Sequence, residues 1–174
     1  DYTAHAYGPD AREVEEMAVI EDMLISQLLN NIREKVPGGL NSTVVVLTAD
    51  HGGPDSPEML KAAKVDSGRV DEKVVTEKVE AKLSEKYGKV EKGWVLFNVD
   101  FNLYLNRRAI REKGINENEI EQLAKKTLLE VNGVFHVMTR TEAREGKWPP
   151  GIHGRQARNT YREDKSGDLF MVPK

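Results

Sequence analysis

The run Thr43-Val44-Val45-Val46-Leu47-Thr48 limits this chain more than any other feature. It is continuous and β-branched, and turn residues bound it: Pro37-Gly38-Gly39 before, Gly52-Gly53-Pro54 after. β-Branched side chains are stiff at χ1 and favour extended backbone. An unbroken apolar run, rather than an alternating one, suits a strand covered on both faces, as in a parallel sheet flanked by helices. In such sheets ligands bind just beyond the carboxyl ends of strands. At that end of this run stand Asp50 and His51.

The rest of the chain fits an α/β class. Val14, Met17, Ile20, Leu24, Leu28 and Ile32 recur at three- and four-residue spacing and predict a long helix with one apolar face. Residues 74–87 read as a helix ended by Gly88, and 116–132 as another, capped by Asn116 with Glu119 three residues on. Short strands are expected at 94–98, 102–105, 134–138 and 168–172, and the basic stretch 141–161 reads as irregular. The division expected is 1–57 as one part of the core, 58–140 as a small inserted α/β subdomain, and 141–174 as the return to the core sheet.

Composition removes several function classes. Lys and Arg number 26 against 29 Asp and Glu, without clustering, so no electrostatic footprint for a nucleic acid polymer is present. No apolar run reaches the roughly 20 residues that span a bilayer. Cys is absent, so a metal here must be held by His, Asp and Glu. Gly-rich phosphate loops of the dinucleotide or P-loop kind are missing. The chain opens at Asp1 without Met, inside what reads as a motif, so its natural beginning is expected upstream.

Two Asp/His pairs carry the chemistry. Asp50-His51 can reach one cation together, and Asp1-x-x-x-His5 can close on a cation across one turn. Taken singly, each pair is commoner as a cap and a surface residue than as a metal clasp. Joined by one helix and one strand, they can return to the same sheet edge.

Asp1-Tyr2-Thr3-Ala4-His5-Ala6-Tyr7-Gly8-Pro9-Asp10, a helix, and then Thr48-Ala49-Asp50-His51-Gly52 resemble the metal-binding half of the alkaline phosphatase superfamily. Its nucleotide pyrophosphatase/phosphodiesterases and related bacterial alkaline phosphatases are the most similar branches. The later stretches at 102–106, 133–140 and 161–173 share the resemblance. It implies a partial alkaline-phosphatase-like three-layer fold. It further implies two divalent ions, zinc in most members, with Asp1 and His5 on one and Asp50 and His51 on the other. Manganese or iron accept a similar donor set. The substrate implied is a small phosphate ester, monoester or diester, attacked by a Thr or Ser, and the setting is periplasmic or secreted.

The departures from the family pattern are as informative. Its nucleophile and one Asp ligand lie upstream of Asp1, and its last His ligand follows the Ser166-Gly167-Asp168 strand, where this chain ends at Lys174. Each ion would then have two of three protein ligands, and this chain alone is expected to be inactive. His153, in Gly151-Ile152-His153-Gly154, precedes that strand and reads as an exposed loop residue; His136 reads as a packed strand residue. Thr3 and Thr48 have nothing nearby to activate them as nucleophiles. Trp94 and Trp148 read as packing residues, and the arginines of the tail as a solvated surface. The rival expectation is a non-catalytic α/β binding or regulatory module whose four Asp and His residues are vestigial.

Overall fold

The structure, a computed structural model, describes residues 2–174. The chain separates into two compact units, Asp1–Val65 and Asp66–Lys174.

The first unit is built on two helices, α1 (Tyr2–Tyr7) and α2 (Arg12–Lys35). Glu13 and Glu15 in the first turn of α2, with Arg33 and Lys35 in its last, complement the helix dipole. The α2 helix ends at Val36, ahead of Pro37, whose ring cannot continue it. A 3-10 turn at Gly39–Ser42 follows, then an extended stretch, then α3 (Pro57–Ala62), capped by the Ser56 hydroxyl accepting from Met59 N.

The β-branched run is thus extended, but it joins no ladder, and Val44 and Leu47 are 89% and 85% exposed. Parallel pairing needs a second strand delivered by a crossover, and this unit supplies none among the described residues. The apolar stripe of α2 is likewise open, with Ile20, Met23, Leu24 and Leu28 all exposed.

The second unit holds the core. Helix α4 (Glu72–Tyr87) starts at Asp71, whose carboxylate accepts from Lys73 N (2.8 Å) and Val74 N (3.2 Å). It buries Val75, Val79 and Leu83, one stripe at four-residue spacing, and stops at Gly88 with φ +78°. Strands β1 (Val95–Val99) and β2 (Asn102–Leu105) form a hairpin. Helices α5 (Arg107–Glu112) and α6 (Glu117–Leu129) follow, and α6 buries Ile120, Ala124 and Leu128. The Asn116 side chain caps α6 by accepting from Glu119 N at 3.1 Å. After β3 (Val134–Thr139) come α7 (Arg140–Arg144), α8 (Gly151–Thr160) and β4 (Leu169–Pro173).

The sheet order is β1-β2-β4-β3, and every pairing is antiparallel. Leu103, Leu105, Val137, Leu169 and Met171 turn inward from it to meet α4 and α6 around Trp94, which is fully buried. Each such large apolar side chain contributes about 1.5–3 kcal/mol by leaving water. The stretch expected to be irregular is two helices. Its first is opened by a capping box in which the Thr139 side chain accepts from Glu142 N and the Glu142 side chain accepts from Thr139 N.

Candidate metal centre

Asp50 and His51 lie where the extended stretch 43–49 runs out. Asp50 Oδ1 accepts from His51 N at 2.9 Å, which turns Oδ2 toward the imidazole, 3.5 Å from Nε2. His51 Nδ1 meets the Gly52 carbonyl at 2.9 Å. A carbonyl only accepts, so Nδ1 carries the proton and, in the neutral ring, Nε2 is the basic nitrogen. The bond from its own neighbour's N–H, and then the His51 ring itself, lower the Asp50 pKa below the usual carboxylate value, so the group is an anion at neutral pH.

His5 approaches from the last turn of α1. Its ring stands edge-on to that of His51, centroids 5.4 Å apart and planes at 62°. Two close backbone approaches in this unit explain the meeting. Gly8, with φ +95°, would place a Cβ 3.5 Å from Ser56 Cβ, and Gly53 would place one 3.8 Å from Pro9. The chain leaving α1 therefore runs against the chain leaving Asp50-His51. A side chain at Gly8 would be strained by the positive φ alone.

The donor chemistry suits a divalent ion such as zinc. With metal–ligand bonds of about 2.0–2.1 Å in tetrahedral array, neighbouring donors stand about 3.4 Å apart. The Asp50 Oδ2 to His51 Nε2 separation of 3.5 Å matches that edge. The Gly52 carbonyl on Nδ1 is the kind of outer contact that orients a ligating imidazole. Among the described residues no group of three or more His, Asp or Glu side chains is arranged to hold a metal; what stands here is the Asp50 carboxylate and His51 ring, with the His5 ring against that of His51. Asp1, the fourth expected ligand, lies outside the described residues.

The other histidines are in the second unit. His136 is half-buried on β3; burial, and then the Lys125 charge, lower its pKa, and its Nε2 is buried without a hydrogen-bond partner. His153 is exposed, as expected, but it stands on α8 rather than in a loop, edge-on to Phe135 at 5.9 Å. The Thr48 hydroxyl donates to the Ala49 carbonyl at 3.2 Å, so no base activates it there.

Sequence reasoning used Asp168 only to mark a strand and gave its side chain no role. It is 4% exposed; Oδ2 accepts from Leu105 N at 2.8 Å and Oδ1 from Arg107 Nε at 2.6 Å. Burial raises its pKa, and the Leu105 and Arg107 contacts oppose that rise. An acid at the mouth of an apolar strand was the available signal.

Among the described residues no helix is long and apolar enough to cross a membrane. A family model described as type I phosphodiesterase / nucleotide pyrophosphatase matches residues 1–174. The alkaline phosphatase PafA of Elizabethkingia meningoseptica is 27% identical over 174 residues, which is 100% of this chain and 31% of that protein. A Myroides odoratus protein named calcium-transporting ATPase is 27% identical over 172 residues, 99% of this chain and 30% of that protein. The crystal structure of wild-type alkaline phosphatase PafA superposes with a TM-score of 0.81 at 25% identity, covering 100% of this chain and 32% of that one. The chain spans about a third of the length of the relatives it matches. The α/β fold, a partial alkaline-phosphatase-like one, is common to both.

Proposed function

Because this chain belongs to the type I phosphodiesterase / nucleotide pyrophosphatase family, we propose that it is the C-terminal part of a two-metal phosphate-ester hydrolase. In this reading residues 1–57 carry the metal-binding part of the core and 58–140 are an insertion, whose sheet β4 of 141–174 completes by pairing with β2 and β3. Asp1 and His5 hold one divalent ion, and Asp50 and His51 the other, zinc in both cases. Two such ions supply Lewis-acid stabilisation of charge on both sides of an in-line displacement at phosphorus.

This chain's own residues bind and orient. Asp50 offers Oδ2 because Oδ1 is engaged by His51 N, and His51 offers Nε2 because Nδ1 is engaged by the Gly52 carbonyl. His5 brings a second imidazole to the same place from a helix that Gly8 and Pro9 fold back. The nucleophilic Thr or Ser of the proposed phospho-enzyme cycle is supplied outside this chain, which makes 1–174 alone inactive. The substrate is a small phosphate ester, and the setting is periplasmic or secreted, as the resemblance implies.

The observation that carries this reading is the meeting of the His5 ring with that of His51, far apart in sequence, where Asp50 Oδ2 stands 3.5 Å from His51 Nε2. Zinc competition against a chromophoric chelator tests it on the 174-residue chain. Binding is expected to weaken by about tenfold to a hundredfold in Asp50→Asn and in His51→Ala, on the scale of losing one charge-assisted ligand. In the longer gene product the same changes are expected to lower phosphate-ester hydrolysis by about a thousandfold. Unchanged zinc affinity in Asp50→Asn/His51→Ala would remove the metal assignment and favour the non-catalytic module.

A further inference from the structure

Arg140 follows β3 directly, and its side chain is 11% exposed. A guanidinium so enclosed normally uses most of its five N–H donors. Here it makes no hydrogen bond among the described residues. One terminal nitrogen stops 4.0 Å from Glu163 Oε1, the other 4.0 Å from Asp168 Oδ1, and Nε is buried without a partner. Both carboxylates are already engaged, Asp168 by Arg107 Nε at 2.6 Å and Glu163 by Arg144 Nε at 2.7 Å. They stand close to Arg140 but leave its donors unmet.

The Tyr161 hydroxyl is also buried without a partner, its ring edge-on to Trp148 at 5.5 Å. Burial, and then the charge of Glu163, raise the pKa of this phenol, so it stays a donor at neutral pH. Arg140 and Tyr161 line one open cleft of about 520 Å³, whose remaining walls are Arg162, Glu163 and Asp164. Buried donors left unmade are costly, and these two belong to side chains that line one cleft, which points to an acceptor missing there.

We propose that this cleft binds a small, singly charged oxyanion of the carboxylate class, with Arg140 and Tyr161 as its donors. The planar guanidinium matches a carboxylate bidentately, and the phenol adds a third bond. The wall charges set the limit of one. Arg162 is matched by Asp164 at 3.4 Å, Glu163 by Arg144 and Asp168 by Arg107, which leaves the charge of Arg140 to offset one negative charge and, among the described residues, no further cation lining the cleft to offset a second. All these residues belong to the second unit, and the inference does not depend on the metal reading.

Trp148, packed on Tyr161, gives a direct readout. Tryptophan fluorescence of the 174-residue chain is followed while acetate replaces chloride at constant ionic strength. A saturable change is expected. Arg140→Gln is expected to weaken it by about tenfold or more, and Tyr161→Phe by about threefold to tenfold, while Arg155→Gln, on exposed α8, leaves it unchanged. Should Arg140→Gln not fold, Tyr161→Phe, which deletes one oxygen, decides alone. A response that does not saturate, or equal affinity in Tyr161→Phe, overturns the site. Inorganic phosphate binding more tightly than acetate near pH 8 overturns the limit of one charge.

Discussion

Glu80 on α4 is the residue whose loss tests the packing account most directly. Its Oε2 accepts from Trp94 N at 2.6 Å and Val95 N at 3.0 Å, and its Oε1 accepts from Ser84 Oγ at 3.2 Å. It therefore satisfies two backbone N–H groups where the chain enters β1, one of them on fully buried Trp94. Gly93, at φ +75°, would place a Cβ 3.1 Å from the same carboxylate, so the approach is that close. In Glu80→Ala both N–H groups lose a charged acceptor, at about 1.5 kcal/mol each at the lower end of the range, or about 3 kcal/mol in all. Glu80→Gln keeps a neutral oxygen there and is expected to cost about half as much. Both tryptophans lie in the second unit, so tryptophan fluorescence in urea follows its unfolding alone. With a slope of about 1.5 kcal/mol per molar, the midpoint falls by about 2 M in the alanine variant and about 1 M in the glutamine variant, at constant slope. A loss under about 1 kcal/mol in Glu80→Ala, or equal losses in both, refutes the role of the carboxylate.

Three further outcomes are expected. Gly154→Ala would set a methyl 1.6 Å from the Pro149 carbonyl oxygen, so the 145–150 loop must move; a cost at the upper end of about 1–3 kcal/mol and faster amide exchange across α8 are expected, and unchanged exchange would contradict this. His136 is held neutral by burial, its folded pKa lying below the ordinary 6.5. The folded chain then binds fewer protons than the unfolded one, so stability is present above about pH 6.5 and is lost as pH falls through it. His136→Gln should flatten that limb of a urea-midpoint profile. For Glu142 burial raises the pKa, but Lys125 at 2.6 Å and Thr139 N outweigh it and the net shift is downward. Its contribution is present above the ordinary carboxylate pKa and lost as pH falls through the lowered one, so Glu142→Gln should differ least from the parent in acid.

The long helices were legible because their signals are local. The stripe of α2, the stripe of α6 and its Asn116 cap, and the stop at Gly88 are all read within a few residues. The β-branched run foretold extended backbone, but a ladder needs a distant partner that no local pattern supplies. The α7 helix was missed although Thr139-x-x-Glu142 is a capping-box pattern; Gly146, Pro149, Pro150 and the surrounding arginines masked it. At the candidate site, residue types and the carboxyl end of the run singled out Asp50 and His51. The approach of His5 rests on Gly8 meeting Ser56 and Gly53 meeting Pro9, contacts that spacing alone does not specify. Arg140 with Tyr161 was illegible because its meaning is a shortage of acceptors, visible only once Arg107 and Arg144 are seen to occupy the nearby carboxylates.

The strand order β1-β2-β4-β3 has a consequence for synthesis on the ribosome. The hairpin with α4, and β3 with α6, emerge first, yet β4, the strand that joins β2 to β3, is absent until residues 169–173 clear the exit tunnel. Until then two open edges and the undersides of α4 and α6 are exposed together, the situation that recruits holding chaperones. A nascent chain arrested short of Leu169 should therefore be protease-sensitive throughout 66–168, and one released past Pro173 should become resistant in a single step.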